Sequence, residues 1–226
     1  MDRRSNLTNV RKIAAEIDAR LCALPVQNTP SERAVRRAYS RQLRSAEPAF
    51  ILDLARELLQ TYGYRWHAYE LIRDHRAAFC ALGEAEIEEF GQGIDSWSSV
   101  DSFARTLAGP AWLDGQVSDG LIHRWARSPD RWWRRAALVS TVALNVRSYG
   151  GTGDVPRTLA VCRLLVDDHD DMVVKAMSWA LRELVVHDPD AVREFLSEHE
   201  DALAARVKRE VRNKLVTGLK NPRKGN

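Results

Sequence analysis

No run of about 18 apolar residues occurs in the sequence, which excludes a membrane-spanning helix. Cysteine is scarce: Cys22, Cys80 and Cys162 are far apart, odd in number and each set in an apolar stretch. That argues against a disulfide framework or a zinc site and points to a reducing cytoplasm. The first 24 residues carry charge through their apolar positions and lack a small-residue cleavage site, so they read as an amphipathic helix, not a signal peptide. Alternating apolar and polar stretches bounded by turn signals are missing too, and no sheet is expected.

Other absences narrow the chemistry. The only glycine-rich connector, Tyr149-Gly150-Gly151-Thr152-Gly153-Asp154, neither follows a strand nor contains a phosphate-loop lysine, and reads as a turn. His67, His75, His123, His169, His187 and His199 lack ligand-like pairing. Asp167-Asp168-His169-Asp170-Asp171 has neither the glycine nor the spaced ligands of a calcium loop and reads as the entry to the next helix. No cysteine neighbours a candidate base. Neither metal nor cofactor is expected.

What is present is core-forming material. Hydrophobic residues make up 45% of the chain, with seven Trp, five Tyr and five Phe, so disorder is not expected. Helical periodicity dominates. In EPAFILDLARELLQTYG, Phe50, Ile51, Leu54, Ala55, Leu58 and Leu59 recur at three- and four-residue steps before Gly63. WRRAALVSTVALNV, MVVKAMSWALRELVV and DAVREFLSEHEDALAARV repeat the pattern. Pro30-Ser31, Glu47-Pro48, Ser128-Pro129-Asp130, Asp154-Val155-Pro156, Asp170-Asp171 and Asp188-Pro189-Asp190 supply N-caps or first-turn residues. Roughly twelve short helices joined by tight loops predict an all-α, HEAT-like helical-repeat fold: a curved α-solenoid with a concave basic face. A compact helical bundle is the alternative. One domain spanning residues 1–226 is expected, with basic termini, 1–12 and 218–226, that fray.

The formal net charge of +3 hides a pattern. Lys+Arg minus Asp+Glu is 10−5 over residues 1–50, 4−9 over 51–100, 7−4 over 101–150, 5−11 over 151–200 and 8−2 over 201–226. Positive charge collects at both ends and in the middle, where a solenoid could bring it to one phosphate backbone. Solvated helix faces account for the same clusters.

Three segments carry candidate chemistry. In Trp97-Ser98-Ser99-Val100-Asp101, the Trp and Asp are four apart and share a helical face. From this pair alone, a core Trp and a surface Asp is the more economical reading. Arg131-Trp132-Trp133-Arg134-Arg135 places arginines, suited to phosphate contacts, among aromatics just inside a helix start. Buried Trp rings covered by Arg stems would give the same string. In Lys175-Ala176-Met177-Ser178-Trp179-Ala180-Leu181-Arg182-Glu183, Lys175, Trp179 and Arg182 fall on one face, as a DNA-facing helix would show, and a lone core Trp is an equally economical reading.

Together, the W-x-x-V-D, W-x-R-R-x-A and K-A-x-x-W-A-L-R-E elements resemble the AlkD-type DNA alkylation repair glycosylases, over about residues 30–215. Arg65-Trp66-His67-Ala68-Tyr69-Glu70 looks like that family's early aromatic–acidic helix. The resemblance implies a HEAT-like protein that excises alkylated purines from double-stranded DNA without drawing the base into a deep pocket. It assigns the catalytic position to Asp101, flanked by Trp97 and Trp179, and a phosphate contact to Arg135; Arg134, Lys175 and Arg182 join the DNA-binding set.

The chemistry is coherent. Alkylation at N3 or N7 leaves a fixed positive charge, so the base is already a good leaving group. What is needed is a carboxylate near the sugar, to stabilise developing positive charge and position water. The tryptophans would offer cation–π and sugar-packing contacts. Lys175 is the only candidate for a Schiff base and is assigned to phosphate instead, giving a monofunctional glycosylase. A monomer in the cytoplasm, nucleoid-associated when on DNA, is the expected setting, and the excess of arginine over lysine with abundant alanine points to a GC-rich bacterial genome. Two rivals stand open: a non-catalytic protein that binds damaged or branched DNA, and a protein-interaction scaffold. The enzymatic reading requires three helices, starting near residues 97, 131 and 171, to converge on one cleft.

Overall fold

The computed structural model describes residues 3–222. Among them every regular element is helical, and no helix is long and apolar enough to cross a membrane. Contacts divide the chain into two compact units, one through Phe90 and one from Gly91.

The first unit opens with α1 (Arg3–Cys22), α2 (Thr29–Gln42), α3 (Pro48–Gln60) and α4 (Arg65–Asp74), followed by α5 (Arg76–Cys80) and α6 (Glu84–Gly91). Val10, Ala14, Ile17 and Leu21 bury one face of α1. Residues 1–2 and 223–226 lie outside the described residues. Asn28 caps α2 by accepting from the Ser31 amide at 2.9 Å, and Pro48 begins α3 where a missing N–H costs nothing. The periodic residues of α3 behave as expected: Ile51, Leu54, Ala55 and Leu58 are buried. α1 packs on α3, α3 on α4 and α5, and α2 on α4. Next-but-one helices therefore meet, as in stacked helical repeats.

The second unit contains α7 (Trp97–Phe103), a π-helical segment (Ala104–Ala108), α8 (Gly109–Leu113), α9 (Asp119–Ala126) and α10 (Arg131–Asn145). After a 3-10 turn (Arg147–Tyr149) come α11 (Val155–Leu164), α12 (Asp171–Leu184), α13 (Pro189–Glu198) and α14 (Ala205–Thr217). Asp130, Asp154, Asp170 and Asp188 each accept a first-turn amide hydrogen bond at 2.9–3.0 Å, the capping role expected of them. One row runs α10–α12–α14, and α11 packs on α9 behind it. This two-row ladder is the HEAT-like arrangement.

Helix α10 is the spine of the unit. Every residue from Arg135 to Asn145 is buried, polar ones included. The hydroxyls of Ser140 and Thr141 donate to the Ala136 and Leu138 carbonyls at 2.8 and 2.7 Å, so neither is left unsatisfied. Gly109 lets α8 approach it: a Cβ there would lie 2.6 Å from the Ser140 carbonyl oxygen. This close approach sits at the end of the π-helical segment, whose widened turn is closed by the Gly109 amide donating to the Ala104 carbonyl. The glycine connector is a turn, with Gly150 and Gly153 at φ +90° and +95°.

Candidate functional site

The site begins at the first turn of α7. Ser96 and Ser99 cap each other there, which fixes Trp97 as the first helical residue. Val100 and Phe103 anchor the buried side of the helix, while Trp97 stays 60% exposed. Asp101, one turn on, meets α10: Arg135 donates from Nε to Oδ1 and from Nη2 to Oδ2, both at 2.9 Å. The Nη1 of Arg135 also donates to the Met172 carbonyl at the start of α12, at 2.5 Å. A single guanidinium, only 5% exposed, thus ties three helices together and locks the orientation of the Asp101 carboxylate.

Helix α12 forms the next wall. Arg135, Lys175, Trp179 and Arg182 line a cleft of about 360 Å³. Arg206, Glu210 and Lys220 complete the lining. Five of those seven residues are cationic and one is anionic, and Asp101, Asp171 and Glu210 pair with four of the five cations. Lys175 and Arg206 both pair with Asp171, at 2.7 Å each. The hydrogen bond from Lys175, helped by the charges of Lys175 and Arg206, holds the Asp171 carboxyl below the usual carboxylate range. Burial pulls the Arg182 guanidinium below its ordinary value, with Glu210 and Glu183 opposing it. Glu210 is itself buried, which resists ionisation. The Ser178 hydroxyl at 2.6 Å, Lys220 and Arg182 overcome that resistance and hold the carboxyl low.

Trp179 is held on two sides. Its indole N–H donates to Glu183 at 2.9 Å, and the Arg105 guanidinium lies over its ring at 5.2 Å. Arg105 belongs to the π-helical segment and also faces the Tyr149 ring, at 5.8 Å.

The structure therefore joins Asp101, Arg135, Lys175, Trp179 and Arg182 through direct contacts or a shared cleft. Trp97 stands exposed one turn from Asp101 and is not part of the cleft lining. Arg134 points elsewhere: its Nε donates to Asp168 at 2.7 Å, and its Nη1 to the Ser128 and Pro129 carbonyls at 3.1 and 2.9 Å. It staples the loops that enter α10 and α12. The tandem tryptophans also separate, with Trp133 packed tilted against Trp125 at 4.9 Å and edge-on to Phe103, and Trp132 carrying Arg131 over its ring. Arg105, Arg206 and Lys220 were not singled out from sequence. The basic 201–226 segment was the only signal for the last two, and nothing local marked Arg105.

In the first unit, the Arg65–Glu70 segment lies at the start of α4. Glu70 pairs with Arg33 at 3.1 Å and with Arg36 at 2.9 Å, and Arg36 reaches Asp74 as well. His67 is 3% exposed, and neither ring nitrogen has a hydrogen-bond partner. Burial, reinforced by the charge of Arg36, pulls this imidazole down to about 4. No group of three or more potential metal ligands occurs among the described residues.

The sequence matches a family model described as "DNA alkylation repair enzyme" over residues 26–215. The fold is similar to a solved structure from Enterococcus faecalis, titled a predicted DNA alkylation repair enzyme. The TM-score is 0.67 at 16% identity, covering 96% of this chain and 98% of that one. Among curated proteins, no match to the sequence was found.

Proposed function

The chain belongs to the DNA alkylation repair enzyme family, and from that premise we propose that it hydrolyses the N-glycosidic bond of N3- and N7-alkylated purines in duplex DNA. The observation that carries this reading is the Asp101 carboxylate, clamped on both oxygens by Arg135 beside a cationic cleft that contains Trp179. Each oxygen accepts one in-plane N–H and retains a second lone pair. Those lone pairs can face the deoxyribose as positive charge builds on it, or hold the attacking water. Because Arg135 neutralises the pair, its field is that of a dipole and falls steeply with distance. Asp101 must therefore approach the sugar closely, which a rigid three-helix clamp favours.

The leaving base carries its own fixed charge, so the reaction needs no strong general acid and no cofactor. Trp179 would pack against the electron-poor nucleotide, with Trp97 on the exposed side. Lys175 and Arg182 would take phosphates. Lys175 pairs with Asp171, which favours a role as a charge over one as a nucleophile, and the enzyme is read as monofunctional. It would act as a monomer on double-stranded DNA in the bacterial cytoplasm.

The test is incubation with methylated duplex DNA and chromatography of the released bases. Free 3- or 7-methylpurine is expected. No release, or full release by Asp101→Asn, overturns the reading. Trapping with borohydride on abasic DNA should give no covalent adduct. The second reading, a non-catalytic binder, draws on the engagement of both Asp101 oxygens by Arg135. Tight, salt-sensitive DNA binding without base release would select it.

A further inference from the structure

We propose that Arg105 is a phosphate clamp of the DNA site, with its guanidinium pre-set between the rings of Trp179 and Tyr149. The proposal rests on the reading of the cleft as DNA-facing and adds a residue and a task to it. Three observations carry it. The guanidinium carbon lies 5.2 Å from the Trp179 ring centroid and 5.8 Å from that of Tyr149, so two aromatic faces hold one cation. Its Nε–H is buried without an acceptor, and no carboxylate among the described residues pairs with the side chain. A buried N–H without an acceptor is destabilising, so an acceptor that reaches the guanidinium would stabilise the arrangement.

The third observation is where the side chain is built. Arg105 lies four residues after Asp101, which on an ordinary α-helix would stack them one turn apart. The π-helical segment Ala104–Ala108 interrupts that spacing, and Gly109 pins it against α10. Both Asp101 oxygens are already occupied by Arg135. The two arginines therefore divide the work: Arg135 is a positioning residue for the carboxylate, and Arg105 is free to receive an anion beside Trp179. A guanidinium in contact with two rings loses less freedom when it binds, and its planar N–H fork suits phosphate oxygens. Glu183, accepting from the Trp179 indole, fixes one wall of this holder.

The test is binding of the full-length protein to an unmodified double-stranded oligonucleotide over a range of salt concentrations. Arg105→Gln should weaken binding about tenfold and flatten the slope of log Kobs against log salt by about 0.9. Arg105→Lys keeps the charge and should preserve the slope with a smaller loss of affinity. Tyr149→Leu removes one wall, leaves every charge in place, and should lower affinity without changing the slope. A folded Arg105→Gln protein with wild-type slope and affinity overturns the clamp. Should that variant fail to fold, unchanged affinity in Tyr149→Leu overturns it instead. These outcomes are independent of base release. Wild-type protein that releases methylpurine while Arg105→Gln binds normally sinks only the clamp. Wild-type protein that releases nothing while Arg105→Gln loses its slope sinks only the glycosylase.

Discussion

Arg36 in the first unit and Arg135 in the second are both buried and both grip carboxylates, yet their surroundings give them different work. Around Arg36 the acids match or outnumber the bases: Glu70 is shared with Arg33, Asp74 is added, and Glu32 lies 3.6 Å from the His67 ring. The Arg33 and Arg36 charges there are answered by Glu70 and Asp74 within the cluster, and burial pulls the Arg36 guanidinium below its ordinary value. Around Arg135 one carboxylate is answered by one guanidinium, and the neighbouring cleft is left with a surplus of cations. A buried ion pair is thus not a site by itself. It becomes a candidate when a cleft opens beside it whose lining holds further cations and aromatic surface.

The strongest way to break the comparison is to remove each guanidinium in turn. Arg36→Met and Arg135→Met should each cost about 3–5 kcal/mol of stability, because a carboxylate loses its partner in a desolvated place. Denaturant titration measures this. Only Arg135→Met should also abolish base release in the fraction that remains folded. Equal losses of release in both would remove the distinction.

Next in size is the carboxylate itself. Asp101→Asn should lower single-turnover base release about 10²–10³-fold, while duplex binding holds or tightens because a negative charge is gone. Glu70→Gln, the corresponding change in the first unit, should leave release unchanged.

The third prediction uses pH. His67 is held near 4, whereas the unfolded chain takes up that proton near pH 6.5. Stability is therefore full above about pH 6.5 and falls as the pH drops towards 4, by at most about 3 kcal/mol. His67→Phe should flatten that acid limb in denaturation at pH 7 and pH 4.5. An unaltered limb would show that the imidazole finds a partner on protonation, with Glu32 the nearest acceptor.

The smallest effect is expected at Arg134. Arg134→Ala should cost about 1–2 kcal/mol of stability and leave the salt dependence of DNA binding unchanged. A shallower salt slope would return Arg134 to the DNA-binding set.

Much of the fold was legible in the chain. The capping aspartates at 130, 154, 170 and 188 and the apolar spacing of α3 and α12 are local signals, and the helices that begin at Trp97, Arg131 and Asp171 start where those signals put them. At the site, the one-face spacing of Lys175, Trp179 and Arg182 was readable from helical period alone. The split between Trp132 and Trp133 was not, since adjacent residues differ only in which neighbour their helix face meets.

The sequence by itself determined the helices and their caps, because these follow from period, propensity and local hydrogen bonding within a few residues, and its three dispersed motifs carried the family resemblance. Only the tertiary structure decided the partner of each arginine. Arg134 and Arg135 are neighbours in sequence, yet one staples loops through Asp168 and the other clamps Asp101. Arg105 carries no local mark at all. Its place between Trp179 and Tyr149 depends on a π-helical turn pressed against α10 by a glycine, and on rings supplied 44 residues and more along the chain. Charge pairing is a property of distances between elements, and packing sets those distances.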